Sequence, residues 1–215
     1  MCGRFTLINW EDLILRFGIR AAGLKPRYNI APTQIVPAIV PGKELKMLYW
    51  GFIPFWAKDK AIGNKMINAR AETLAEKKSF RYNLRHKRCL IPADGFYEWE
   101  KKGQEKIPYR YTLKNAELFA FAGLWESWQS PTGEQIESFC IITTSANELV
   151  KKLHGRMPVI LSREAEEIWL DPQINDPVVL LPLLKPYPAE KMTVTRVSRK
   201  VNNPANDFPE VLLPD

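Results

Sequence analysis

Between residues 88 and 144 the chain spells one β-strand after another, and no other feature narrows its fold as much. Runs at 88–92, 94–100, 107–113, 118–126 and 136–144 are rich in β-branched and aromatic residues. Short turns such as Lys101-Lys102-Gly103 and Ser130-Pro131-Thr132-Gly133 separate them. Turns of that length join strands antiparallel, because a parallel pair needs a crossover of a dozen residues or more. Earlier, 34–41 and 44–50 read as two strands joined at Pro41-Gly42-Lys43, and a late strand is expected near 192–198.

Helical signals are brief. Asn9 has the form of an N-cap, with Glu11 and Asp12 in the first turn and Leu13, Ile14 and Phe17 on one face. A loop bracketed by Gly18 and Gly23 follows. Residues 72–88 carry basic and apolar groups at helical spacing, with Ser79 as a second start. Ser145-Ala146-Asn147-Glu148 has the form of a capping box opening a helix that ends near His154-Gly155. Ser162 opens another to Trp169, and 176–185 suggests a third. The fold expected is α+β, one domain over 1–215, with an antiparallel curved sheet or partial β-barrel as core and flanking helices.

Size and charge bound the function. A chain of 215 residues fits one domain. Its formal net charge of +7 suits an anionic partner such as nucleic acid, and equally suits plain solubility. No apolar stretch approaches the roughly 20 residues of a membrane span. Polar and charged residues enter by Asn9, so no signal peptide is expected, and the location expected is cytoplasmic. Cys2, Cys89 and Cys140 are odd in number and widely spaced, which argues against a disulfide framework and against a zinc site. Cys89 and Cys140 lie in apolar runs and read as core. No metal or cofactor is expected.

Cys2 is different, because it follows the initiator Met1 directly. Removal of Met1 would expose an α-amine and a thiol on adjacent carbons, with reference pKa values of about 7.7–8.0 and about 8.5. Such a 1,2-aminothiol can attack a carbonyl with its own amine as base. It can also condense with an aldehyde, first to a Schiff base and then to a thiazolidine ring.

Other segments carry polar groups where strands or loops would present them. Trp50-Gly51-Phe52-Ile53-Pro54-Phe55-Trp56-Ala57-Lys58 is an aromatic loop that either stacks on unpaired bases or folds onto the core. Asn68 and Arg70, two apart, would face the same way in extended chain, unless Asn68 caps a helix. Glu98 shares a strand face with Phe96 and Glu100. Spacing alone favours an edge glutamate in water, whereas burial would raise its pKa and suit it to proton transfer. His154 reads as a helix-end histidine or a proton-exchange group. His86, in a basic stretch, is expected in solvent.

Taken in order, several motifs resemble the SRAP family of abasic-site processing proteins. They are Met-Cys-Gly-Arg-Phe at 1–5, Arg-Tyr-Asn-Ile-Ala-Pro at 27–32, Trp-Gly-Phe-Ile-Pro at 50–54 and Asn-Ala-Arg-Ala-Glu-Thr at 68–73. Pro-Ala-Asp-Gly-Phe-Tyr-Glu-Trp at 92–99 and His-Gly-Arg-Met-Pro at 154–158 complete the series. The resemblance implies covalent capture of abasic sites in single-stranded DNA as a thiazolidine, with autoproteolytic release of Met1 as a second proposed activity. It implies that Cys2 supplies amine and thiol, and that Asn68 holds the N-terminus and the sugar. Glu98 would move protons, and His154 would assist sugar opening. Arg4 and Arg70 would bind phosphates, while Pro32 and the Phe55-Trp56 pair would face neighbouring bases. A monomer in the bacterial cytoplasm, at the nucleoid when DNA-bound, is the implied setting. Two alternatives stand beside it: an N-terminal-nucleophile glutamine amidotransferase, and a noncatalytic single-stranded DNA-binding module.

Overall fold

A computed structural model describes residues 2–19 and 23–214. Met1, whose removal the sequence reading expects, and residues 20–22 of the Gly18–Gly23 loop lie outside them.

The strands are β1 (Phe5–Leu7), β2 (Arg27–Ile30), β3 (Ile35–Val40), β4 (Glu44–Trp50), β5 (Asn68–Arg70) and β6 (Arg88–Ala93). They continue with β7 (Gly95–Lys102), β8 (Glu105–Leu113), β9 (Phe119–Gln129), β10 (Gln135–Ser145), β11 (Arg156–Pro158) and β12 (Met192–Arg196). The helices are α1 (Asp12–Phe17), α2 (Arg81–His86), α3 (Arg163–Leu170) and α4 (Pro177–Leu180).

The expected α+β architecture with a curved sheet is what the chain forms. Strands β3, β4, β10, β9 and β6 pair in a ring, antiparallel at every step except β10 against β4, which is parallel. Outside the ring, β5 and β11 also pair with β10. A ring needs close approach on its inside, and Gly123 on β9 provides it. A Cβ there would meet the Cys89 Sγ at 2.9 Å and the Cys140 carbonyl oxygen at 3.2 Å. Both cysteines are buried core residues, as their apolar settings predict.

A second sheet runs β12-β8-β7-β1-β2. The two sheets join at Asp94, the residue between β6 and β7. Aromatic rings fill the space between them: Phe5 lies 5.1 Å from Trp50 and 5.7 Å from Phe121, and Phe96 lies 6.2 Å from Phe121. Each such side chain contributes about 1.5–3 kcal/mol on burial.

Local signals were overruled where buried groups competed. Asn9 does not cap α1. Its N–H donates to Asp94 Oδ2 at 2.9 Å, and the helix begins three residues later behind Glu11. Ile14 is half exposed, so only Leu13 and Phe17 anchor the helix. The helical pattern at 72–88 contracts to a 3-10 turn at Ala71–Thr73 and to α2, with Phe80 rather than Ser79 at its start. Ser145 ends β10 by pairing with Arg156. The cap is Asn147, whose Oδ1 accepts from Leu149 N and Val150 N at 3.1 and 2.9 Å, and only a 3-10 turn at Val150–Lys152 follows. The aromatic loop divides: Trp50, Phe52 and Ile53 are core, while Phe55 and Trp56 are exposed. Ser162 caps α3 as expected, and His86 is exposed. No helix among the described residues is long and apolar enough to cross a membrane.

Candidate active site

Cys2 is completely buried at the mouth between the two sheets' elements, with its Sγ 3.9 Å from the Arg4 carbonyl oxygen. Strand β5 reaches it from the ring side. Ile67 positions that strand, because its carbonyl accepts from Trp50 Nε1 at 3.0 Å and from Ile141 N at 3.1 Å. Asn68 then donates from Nδ2 to the Cys2 carbonyl oxygen at 2.8 Å. Its Oδ1 is buried with no protein partner among the described residues, an acceptor left available to a ligand.

From the second sheet, β7 brings Glu98. Its strand face begins at the buried Phe96 and lies opposite Tyr109 and Tyr111 of β8, so Glu98 is only 5% exposed rather than an edge residue in water. Burial raises its pKa. Burial, with the negative charge of Glu98 beside it, pushes the Cys2 thiol well up, so that it is held as S–H. Burial and the same Glu98 charge raise Tyr111 to about 12.

His154 follows the 3-10 turn. Its Nδ1 lies 2.9 Å from the Arg156 N and 3.1 Å from the Arg156 carbonyl oxygen, contacts that orient the ring whichever nitrogen carries the proton. Asn68 thus touches Cys2, and electrostatics couple Cys2 to Glu98 and Glu98 to His154. All four residues expected to do chemistry meet in one place.

The residues expected to meet DNA lie around this cluster with differing freedom. Arg70 is exposed one strand step from Asn68. Phe55 and Trp56 are 66% and 52% exposed, and Pro32 is half-buried. Arg4 is more constrained. Its Nη1 donates to Asn29 Oδ1 at 2.7 Å and to the Val201 carbonyl at 2.8 Å, and its guanidinium lies 5.5 Å from the Trp99 ring centre.

Sequence reasoning passed over the residues that hold the site together, although Asp94, Asn29, Glu72 and Arg156 stand inside the same motifs. Asp94 accepts from Thr6 Oγ1 at 2.5 Å and pairs with Arg110 at 2.9 Å, fixing β1 and therefore Cys2. Arg110 lies across Gly95, where a Cβ would come within 2.5 Å of it. Asn29 donates from Nδ2 to the carbonyls of Asn203 and Asn206 at 3.0 and 2.8 Å, tying β2 to the tail. Arg156 forms a two-pronged bond to Glu72, each arm 2.9 Å, linking the segment that carries His154 to the one that carries Asn68. Their polar identity within a strand or turn was the available signal. No three His, Cys, Asp or Glu side chains among the described residues are grouped to hold a metal.

A buried cysteine beside the initiator position, clasped by an amide and electrostatically coupled to a carboxyl and an imidazole, defines the candidate site. A family profile described as "SOS response associated peptidase (SRAP)" matches residues 1–204, and the chain belongs to that family. It is 50% identical over 221 residues to the abasic site processing protein YoqW of Bacillus subtilis, covering 99% of both chains. It is 32% identical to the abasic site processing protein HMCES of Gallus gallus, over 91% of this chain and 68% of that one. Among solved structures, a Bacteroides thetaiotaomicron protein superposes over the whole of both chains with a TM-score of 0.91 at 32% identity.

Proposed function

We infer that this protein processes abasic sites in DNA by covalent capture through Cys2, once Met1 has been removed. The observation that carries the reading is the clasp of Asn68 on the Cys2 carbonyl, made beside a buried carboxyl. Relatives named abasic site processing proteins, matched over nearly their full length, support it.

Removal of Met1 hydrolyses one peptide bond and frees the α-amine of Cys2. The abasic deoxyribose opens to an aldehyde, a step that His154 assists by proton transfer to the ring oxygen. The amine adds to the aldehyde carbon. Glu98, whose pKa burial raises, gives a proton in its acid form to the departing hydroxyl and recovers one from the nitrogen, and one water leaves as the Schiff base forms. The thiol then adds across the C=N bond, its proton passing to nitrogen, and the thiazolidine ring closes. The balance is one aldehyde plus one aminothiol giving one ring and one water. Because the thiol is held as S–H, the amine attacks first.

Asn68 supplies positioning. With residue 2 fixed by its carbonyl, amine and thiol cannot swing away from the aldehyde, and the free Oδ1 can accept from a sugar hydroxyl. Arg70, and Arg4 with whatever donors its structural partners leave, would take the flanking phosphates. Pro32, Phe55 and Trp56 would lie against neighbouring bases, in a monomer acting on single-stranded DNA in the cytoplasm. The whole chain, 1–215, would act as one domain.

The deciding experiment incubates the mature protein with single-stranded DNA carrying one abasic site and resolves it under denaturing conditions. A slower band is expected, absent with intact DNA and absent for Cys2→Ala. Mature protein of verified mass that gives no such band would overturn the reading. Non-covalent retention surviving Cys2→Ala, with no adduct, would point instead to a plain binding module.

A further inference from the structure

Beyond Arg70 the chain carries a second basic segment that the capture chemistry does not use. From Thr73 to Arg88 the only acid is Glu76, against Lys77, Lys78, Arg81, Arg85, Lys87 and Arg88. Two of these cations are engaged. Lys87 pairs with the buried Glu126, and Arg88 is buried among backbone carbonyls, including that of Trp169 at 2.6 Å. The others behave differently. Lys77, Lys78 and Arg81 are exposed and, among the described residues, meet no carboxylate. Arg85 meets only the Asn175 carbonyl, at 3.2 Å.

Several lysines elsewhere on the surface are paired: Lys46 with Glu137 at 2.8 Å, Lys60 with Glu134 at 2.9 Å and Lys43 with Glu167 at 3.4 Å. Like charges crowded without counterparts repel one another, and an anionic partner relieves that repulsion. The same helix displays aromatics. Tyr82 is 53% exposed, and its ring lies 4.8 Å from that of His86. Arg81 and Arg85, and likewise Tyr82 and His86, stand one helical turn apart, so α2 presents a cationic ridge beside an aromatic one. That combination suits a phosphate backbone together with its unpaired bases.

Its position is fixed relative to the capture site. Phe80, immediately before α2, packs edge-on against Phe52 at 5.3 Å, and Phe52 precedes the exposed Phe55 by three residues. We propose that the outer face of α2, with Lys77 and Lys78, is a second contact surface for single-stranded DNA, gripping the strand away from the lesion. The proposal rests on the reading that this protein acts on DNA, and it adds a non-covalent hold that does not need Cys2.

The test uses Cys2→Ala protein, so that binding is an equilibrium, and follows fluorescence anisotropy of a long intact single strand from low to moderate salt. Replacing both arginines, Arg81→Gln with Arg85→Gln, should flatten the slope of log affinity against log salt by about 1.4, two phosphates at about 0.7 each. Tyr82→Ala should weaken binding roughly 5- to 150-fold, the range for one stacked base. The same changes in Cys2-containing protein should leave capture of an abasic oligonucleotide of about 8 nucleotides unaltered, since that length fits within one site. Melting temperatures should match, because all three side chains are exposed. Unchanged slope and affinity would overturn the proposal, as would a loss confined to duplex DNA. Failure of the capture reading has a separate signature, no adduct from the unsubstituted protein, and leaves the anisotropy result standing.

Discussion

Asn68 Nδ2 donates to the carbonyl oxygen of Cys2 at 2.8 Å, so a residue on a three-residue strand of the barrel side holds the backbone of the second residue in the chain. The bond acts on the carbonyl, not on the amine or the thiol. On the proposed reading it would orient both nucleophiles and block neither.

Asn68→Ala should slow adduct formation by about 2- to 10-fold, the range for one ordinary hydrogen bond, with only a small fall in melting temperature. Asn68→Asp should slow it more, because an ionised carboxylate offers no donor and faces the Cys2 carbonyl with negative charge. Single-turnover gel kinetics on mature protein would check both.

Glu98→Gln should slow Schiff-base formation by about 10²- to 10⁴-fold, the usual contribution of a positioned proton donor. Burial raises the Glu98 pKa, so its acid form persists to higher pH than an exposed glutamate's and is lost only as pH rises through that raised value. The unsubstituted protein should show a falling alkaline limb in its rate–pH profile. The glutamine variant should lack that limb.

Asp94→Ala should cost about 3–5 kcal/mol of stability, because it leaves Arg110 without its buried partner and frees the N–H groups of Ile8 and Asn9. Chemical denaturation measures the loss. Any surviving folded protein should also capture more slowly, since β1 begins three residues after Cys2 and anchors it.

Glu166 supplies a pH dependence of stability remote from the site. Burial pushes it up to about 8, although Arg16 lies 2.8 Å away and pulls the other way. The folded state thus holds a proton that the unfolded chain, with an ordinary value near 4.3, has released. Stability is full below pH 4 and falls as pH rises from about 5 to about 8, by an amount of order a few kcal/mol. Glu166→Gln should flatten melting temperature over that window.

Much was legible locally. The strand runs from 88 to 144 became β6 to β10 because enrichment in β-branched and aromatic residues and short turns are properties of neighbouring residues. Cys2, Asn68, Glu98 and His154 were nameable from ordered motifs. What failed were caps and helix lengths, at Asn9, Ser79 and Ser145. There an incoming buried group or a strand partner outbid a local hydrogen bond worth about 1 kcal/mol.

By itself, the sequence determined the kind of elements, the order of the motifs and the presence of a cysteine next to the start. Tertiary structure alone decided that Glu98 is buried, that Asn68 reaches Cys2, and that Arg156 binds Glu72 to align the two motif segments. It also decided that Arg4 is shared with Asn29 and the tail, while Arg81 and Arg85 of α2 face outward with no carboxylate partner among the described residues. The reason is range. Strand pattern is set by adjacent side chains, whereas burial, desolvation and pairing depend on groups brought from far along the chain.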